Sequence, residues 1–74
     1  ECFVLAVLPN DYLACGTYNY TLIWDINTSE IKQKLLGDGS RVFGLVLLKN
    51  GELVTGGSFS MKLWSTGLVL SLII

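Results

Sequence analysis

The chain has 74 residues, about half of them apolar, and a formal net charge of −1. That length allows at most one small domain, which buries only about 60% of its unfolded surface and is marginal alone. The basic residues Lys32, Lys34, Arg41, Lys49 and Lys62 are scattered, so no nucleic-acid footprint is present. The late apolar run Gly67–Ile74 is far shorter than the roughly 20 residues a spanning helix needs, so no membrane span is expected.

So much apolar surface is hard for a small body to hide. With Glu1 in place of an initiator methionine, the expectation is a piece of a larger body. No charged segment precedes the apolar start, so no secretory leader is expected and the expected location is cytoplasmic. The sequons at Asn19 and Asn27 matter only in a secreted protein. Cys2 and Cys15 do not make a disulfide framework. If Asn10-Asp11 turns a hairpin, Cys15 lies opposite Ala6 and Cys2 opposite Asn19. That stagger is about 13 Å along a strand, beyond disulfide reach. Reduced, buried thiols are expected.

In chain order, Cys2–Leu8 is an unbroken apolar run that suits a strand buried on both faces. Pro9-Asn10-Asp11 is a turn, and Tyr12–Gly16 a second short strand. Thr17–Asn19 turns again, with Asn19 the residue of positive φ. Tyr20–Asp25 is the third strand. Asn27–Glu30 is a polar connection. Ile31–Leu36 alternates, and its two lysines suit an outer edge strand. A helix over Asn27–Leu36 is the competing reading, but Gly37 and Gly39 end it too early for stability. Gly37–Ser40 is a sharp loop. Arg41–Leu48 restarts the cycle. Asn50-Gly51 predicts a type I′ hairpin, with positive φ at both positions. Glu52–Gly56, a turn at Gly57–Phe59, and Ser60–Trp64 follow. Leu68–Ile74 takes the place of a fourth strand. This is an all-β meander.

The two halves are copies. At an offset of 40, Phe3 matches Phe43, Leu5 matches Leu45, Leu8 matches Leu48 and Asn10 matches Asn50. Leu13 then matches Leu53, Gly16 matches Gly56 and Trp24 matches Trp64. A period of about 40–45 residues points to propeller blades of four strands each. The fold class expected is all-β: a β-propeller fragment of about two four-stranded antiparallel blades. The first blade is assigned to 1–36 and the second to 37–74, with an incomplete or atypical fourth strand.

Trp24-Asp25 closing a third strand, Trp64-Ser65 at the equivalent place, Leu13–Gly16 and Leu53–Gly57 together resemble the WD-repeat family of β-propellers. Gly37-Asp38 sits where that family carries a Gly-His pair. The resemblance covers residues 3–65. It implies a polar network in which a strand Ser or Thr accepts from the Trp indole and is itself linked to a His and a turn Asp. This chain has no His, so the network cannot form in full. Thr55 stands at the Ser/Thr place of the second blade, with Asp38 expected to accept from its hydroxyl. Cys15, a poor acceptor, stands there in the first, so Trp24 is expected to lack a side-chain partner. Asn19 is expected to substitute for the missing turn Asp in the first blade, which Phe59 cannot do in the second.

No catalytic constellation is present: there is no His base, and neither Cys has a His partner. Metal-ligand spacing and a phosphate-cradling glycine loop are also missing, so no cofactor and no metal is expected. The resemblance implies a non-catalytic scaffold for protein–protein interaction, not an enzyme. It also implies that partners dock on the rim that joins the entry to the first strand with the second turn. Here those residues are Tyr18, Asn19, Asp38, Arg41, Ser58 and Phe59, while Trp24, Asp25, Thr55 and Trp64 are structural. The partners implied are other proteins and further blades of the same propeller. The alternatives are blades of a propeller hydrolase or quinoprotein-type enzyme, or a regulatory sensor of a larger signalling protein. An isolated pair of blades cannot close, so the chain is expected to aggregate or to assemble copies into a ring. The uncharged tail Gly67–Ile74 adds a pairing-prone edge.

Overall fold

The structure, a computed structural model, describes residues 1–65 and the short strand at 71–72. Eight strands follow in order: β1 (Val4–Leu8), β2 (Tyr12–Gly16), β3 (Tyr18–Asp25), β4 (Glu30–Arg41), β5 (Gly44–Leu47), β6 (Leu53–Gly56), β7 (Met61–Ser65) and β8 (Ser71–Leu72). They form two four-stranded sheets, β1-β2-β3-β4 (sheet A) and β5-β6-β7-β8 (sheet B), with every neighbouring pair antiparallel. The chain is therefore all-β with two antiparallel sheets. No helix forms at Asn27–Leu36; that stretch lies in the β3–β4 connection and β4. The expectation of a pairing-prone tail over Gly67–Ile74 lies outside the described residues apart from β8.

The hairpins fix the registers. Leu8 pairs with Tyr12, so the first loop holds three residues, Pro9-Asn10-Asp11, and Asn10 (φ 64) and Asp11 (φ 62) are both left-handed. In the matching hairpin of sheet B, Leu48 N donates to Glu52 O at 2.7 Å and Gly51 N to Leu48 O at 3.0 Å. Gly51 has φ 89, whereas Asn50 is not left-handed. The expected type I′ turn at Asn50-Gly51 is thus corrected to a three-residue loop that closes on a left-handed glycine.

The three-residue first loop also corrects the cysteine geometry. Cys15 pairs with Leu5, one position away from the Ala6 expected. Upstream of β1, Phe3 N still bonds Gly16 O at 2.8 Å, while Cys2 lies with its Cα only 5.7 Å from that of Cys15, and the two are joined as a disulfide. The chain before β1 does not run on along the ladder, so the stagger argument fails. The expectation of free, reduced thiols was wrong, and the support it lent to a cytoplasmic location goes with it.

Gly37–Ser40, expected as a loop, belongs to β4. Tyr20 pairs with Leu36 and Tyr18 with Arg41. Five steps along β4 therefore span two along β3, and the extra residues bulge outward. A smaller shift at Ile23/Trp24 places Trp24 opposite Ile31. It interrupts the alternation and leaves Ile31 44% exposed.

The core lies between the sheets. Sheet A contributes Leu8, Ala14, Ile23 and Leu35, sheet B contributes Leu45, Leu53 and Trp64, and Val42 joins them from the connector. The sheets come together chiefly through β1 and β5. Gly16 is required there, because a Cβ would lie 2.6 Å from Val4 Cγ1 and 2.8 Å from Val42 Cγ1.

Candidate functional site

Three segments meet at one end of the sheet pair: the β2–β3 turn, the Gly37–Arg41 bulge and the β6–β7 turn. The two turns are repeat equivalents. Thr17 N donates to Tyr20 O at 2.7 Å, and Gly57 N to Ser60 O at 3.0 Å. The bulge ties them together. The Asn19 side-chain oxygen accepts from Gly39 N at 2.6 Å. Asn19 has φ 69, a conformation Asn tolerates well. On the other side, Asp38 Oδ2 accepts from Phe59 N at 2.8 Å and Ser60 N at 2.9 Å. Asp38 Oδ1 accepts from the Ser40 hydroxyl at 2.6 Å and from Ser40 N at 3.1 Å. Ser40 Oγ in turn accepts from Ser58 N at 2.8 Å.

These donors stabilise the ionised carboxylate. The Ser40 hydroxyl bond, with the Phe59, Ser60 and Ser40 amides, lowers the Asp38 pKa from 3.8 to about 2, against an opposing effect of desolvation. Asp38 thus supplies the turn anchor that Phe59 could not. It does not bond the Thr55 hydroxyl, as had been expected. Its oxygens are engaged by Ser40, Phe59 and Ser60, and a gap of about 10 Å³ lined by both residues lies at this point. Lys62 adds a further tie from sheet B, donating to Leu36 O and Gly37 O at 3.1 Å each.

The residues expected on the rim fall together. Tyr18, Arg41, Ser58 and Phe59 are exposed, while Asn19 and Asp38 are half-buried and spend their oxygens on the bonds just described. The Tyr18 and Phe59 side chains are 65% and 77% exposed. Sequence reasoning missed Phe3 and Phe43, the two residues that hold Arg41. The guanidinium lies 5.2 Å from the Phe3 ring centroid and 5.3 Å from that of Phe43, a double cation–π contact. Their identity at the same repeat position was the available signal.

Trp24 and Asp25 lie away from this rim. Asp25 pairs with Tyr12 and Glu30 at the opposite end of sheet A. Its carboxylate accepts from Asn27 N at 2.9 Å and orders the β3–β4 turn. Thr55 and Trp64 are buried, and the indole donates to the Thr55 hydroxyl oxygen at 3.0 Å. Among the described residues no side chain accepts from Trp24. No cluster of three His, Cys, Asp or Glu side chains suited to a metal ion occurs among the described residues.

No family model, no curated protein and no solved structure matches this chain.

Proposed function

We propose that the chain is a two-blade segment of a WD-repeat-type propeller, acting as a non-catalytic platform for other proteins through the Tyr18–Arg41–Phe59 rim. The observation that carries this reading is the tied rim itself. Loops from both sheets are held by side-chain bonds to backbone amides, and the rings they present are left in solvent. Tyr, Phe and Arg are the residue types enriched at interfaces. A rim held rigid before binding loses less entropy on association. The propeller reading is supported by the repeat offset, by the meander order within each sheet and by the proximity of β1 to β5.

A photo-crosslinking group at Phe59 tests the platform. The expected result is one discrete protein adduct in cell extract, lost in the Tyr18→Ala/Arg41→Ala variant and retained in Lys32→Ala on the far edge strand. Labelling that ignores the rim variant would refute it. Recovery of the flanking coding sequence tests the propeller. Further units at the same period support it, and an appended catalytic domain with no further units overturns it.

A further inference from the structure

Arg41 is the rim cation whose donors are unspent. Its guanidinium lies 5.2 Å from the Phe3 ring centroid and 5.3 Å from that of Phe43. Contacts with ring faces leave the guanidinium N–H groups available for hydrogen bonds. Among the described residues no carboxylate or carbonyl accepts from them. The other charges at this end are engaged. Lys62 donates to Leu36 O and Gly37 O, and the Asp38 oxygens accept from Ser40, Phe59 and Ser60. Asp11, Asp25, Glu30 and Glu52 lie at the opposite end, in the hairpin loops and the β3–β4 turn. Glu1 lines a groove on sheet A together with Trp24 and makes no ion pair with Arg41.

We infer that Arg41 anchors a carboxylate: the rim takes an acidic peptide segment of another protein, with an Asp or Glu side chain on the guanidinium and apolar side chains against the rings around it. This rests on the platform reading of the rim and names the chemistry of the partner. Phe3 and Phe43 hold the Arg41 side chain before any ligand arrives, which lowers the ordering cost of binding. Their rings also displace water beside the guanidinium, and a charge contact strengthens as the local dielectric falls. The planar guanidinium matches a carboxylate with two parallel hydrogen bonds. Tyr18 is the cross-strand partner of Arg41, so the two side chains share a face and the phenol can donate to the same carboxylate. Tyr18, Phe43 and Phe59 are 65%, 55% and 77% exposed, an apolar surface that suits the neighbours of the acidic residue. A phosphoryl group carries roughly two charges, so one unspent cation matches a carboxylate better.

The probe is a random peptide library displayed on phage and selected on the immobilised full chain. Selected peptides are expected to carry Asp or Glu beside aromatic or aliphatic residues. The tightest is synthesised with its acid and with the matching amide, Asn or Gln, in that place. On wild type the amide peptide is expected to bind roughly tenfold more weakly, as loss of a hydrogen bond to a charged group does. On Arg41→Gln the acid and amide peptides are expected to bind equally. Cooperative unfolding followed by tryptophan fluorescence checks the fold of the variant. A salt titration on wild type gives a second readout that needs no variant: the acid peptide is expected to weaken as salt rises, and the amide peptide to change little. Selected peptides that lack an acid but are lost in Tyr18→Ala/Phe59→Ala overturn the carboxylate anchor and leave the platform standing. An acid preference that survives in Arg41→Gln overturns the anchor as well, and so does a phosphoserine peptide that outbinds the acid. Selection of no peptide sensitive to any rim variant removes the anchor and the platform together.

Discussion

Trp64 donates its indole N–H to Thr55 at 3.0 Å inside the face that sheet B turns toward sheet A. The equivalent Trp24 sits opposite Leu13 just as Trp64 sits opposite Leu53, yet it is only half-buried and opens onto the groove. One strand position therefore has two environments. The ladder to the second strand is the same in both, so the difference comes from what each sheet packs against.

Replacing Thr55 by Val leaves a buried indole N–H without its acceptor. The expected loss is about 1–3 kcal/mol of unfolding free energy. Thr55→Ser keeps the oxygen and is expected to lose less than Val. Urea titration of the three chains checks the order. A loss for Val no larger than that for Ser would show that the hydrogen bond does not set the cost.

The Asp38 carboxylate gives stability a specific acid limb. Its folded pKa lies at about 2 against 3.8 for the free group, so the unfolded chain takes up the proton first as pH falls. The contribution is fully present above about 4 and is lost on descent toward 2. Unfolding measured from pH 5 to pH 2 is expected to show wild type more stable than Asp38→Asn at the upper end. The two curves should converge at the lower end. Parallel curves would remove Asp38 from the acid limb.

Gly57 has no left-handed φ to explain it. Its reason is steric: a Cβ would lie 2.5 Å from Asp38 Oδ1 and 2.6 Å from Oδ2. Gly57→Ala is expected to destabilise by about 1–3 kcal/mol, as overpacking does. Gly44 has nothing within 4 Å of the same added atom, and Gly44→Ala is expected to be neutral or mildly stabilising. Thermal unfolding of both variants separates these outcomes.

The Cys2–Cys15 disulfide closes a loop with a sequence separation of 13. Cross-links of that span contribute roughly 2–4 kcal/mol, largely by restricting the unfolded chain. Cys2→Ser is expected to lower stability by that order under oxidising conditions, and wild type should fall to the same level in reductant. No effect of reductant on wild type would show that the bridge does not form in solution.

Local physics made much of this chain legible from its sequence. Alternation and turn residues mark the strands because side-chain period and φ preference are properties of neighbouring residues. The offset of 40 announces two equivalent units, and the Trp64–Thr55 pair was expected from the WD-repeat resemblance. The tertiary structure decided the rest, because each remaining feature joins residues distant along the chain. A hairpin loop of three residues instead of two moves the register by one position and re-pairs Cys15. The path of the chain before Val4, which no propensity encodes, brings Cys2 to it. Asp38 anchors a turn about twenty residues downstream only because the β4 bulge delivers it there. And the burial of Trp64 against the half-exposure of Trp24 is set by which sheet finds a neighbour, a long-range fact that two equivalent repeats cannot state on their own.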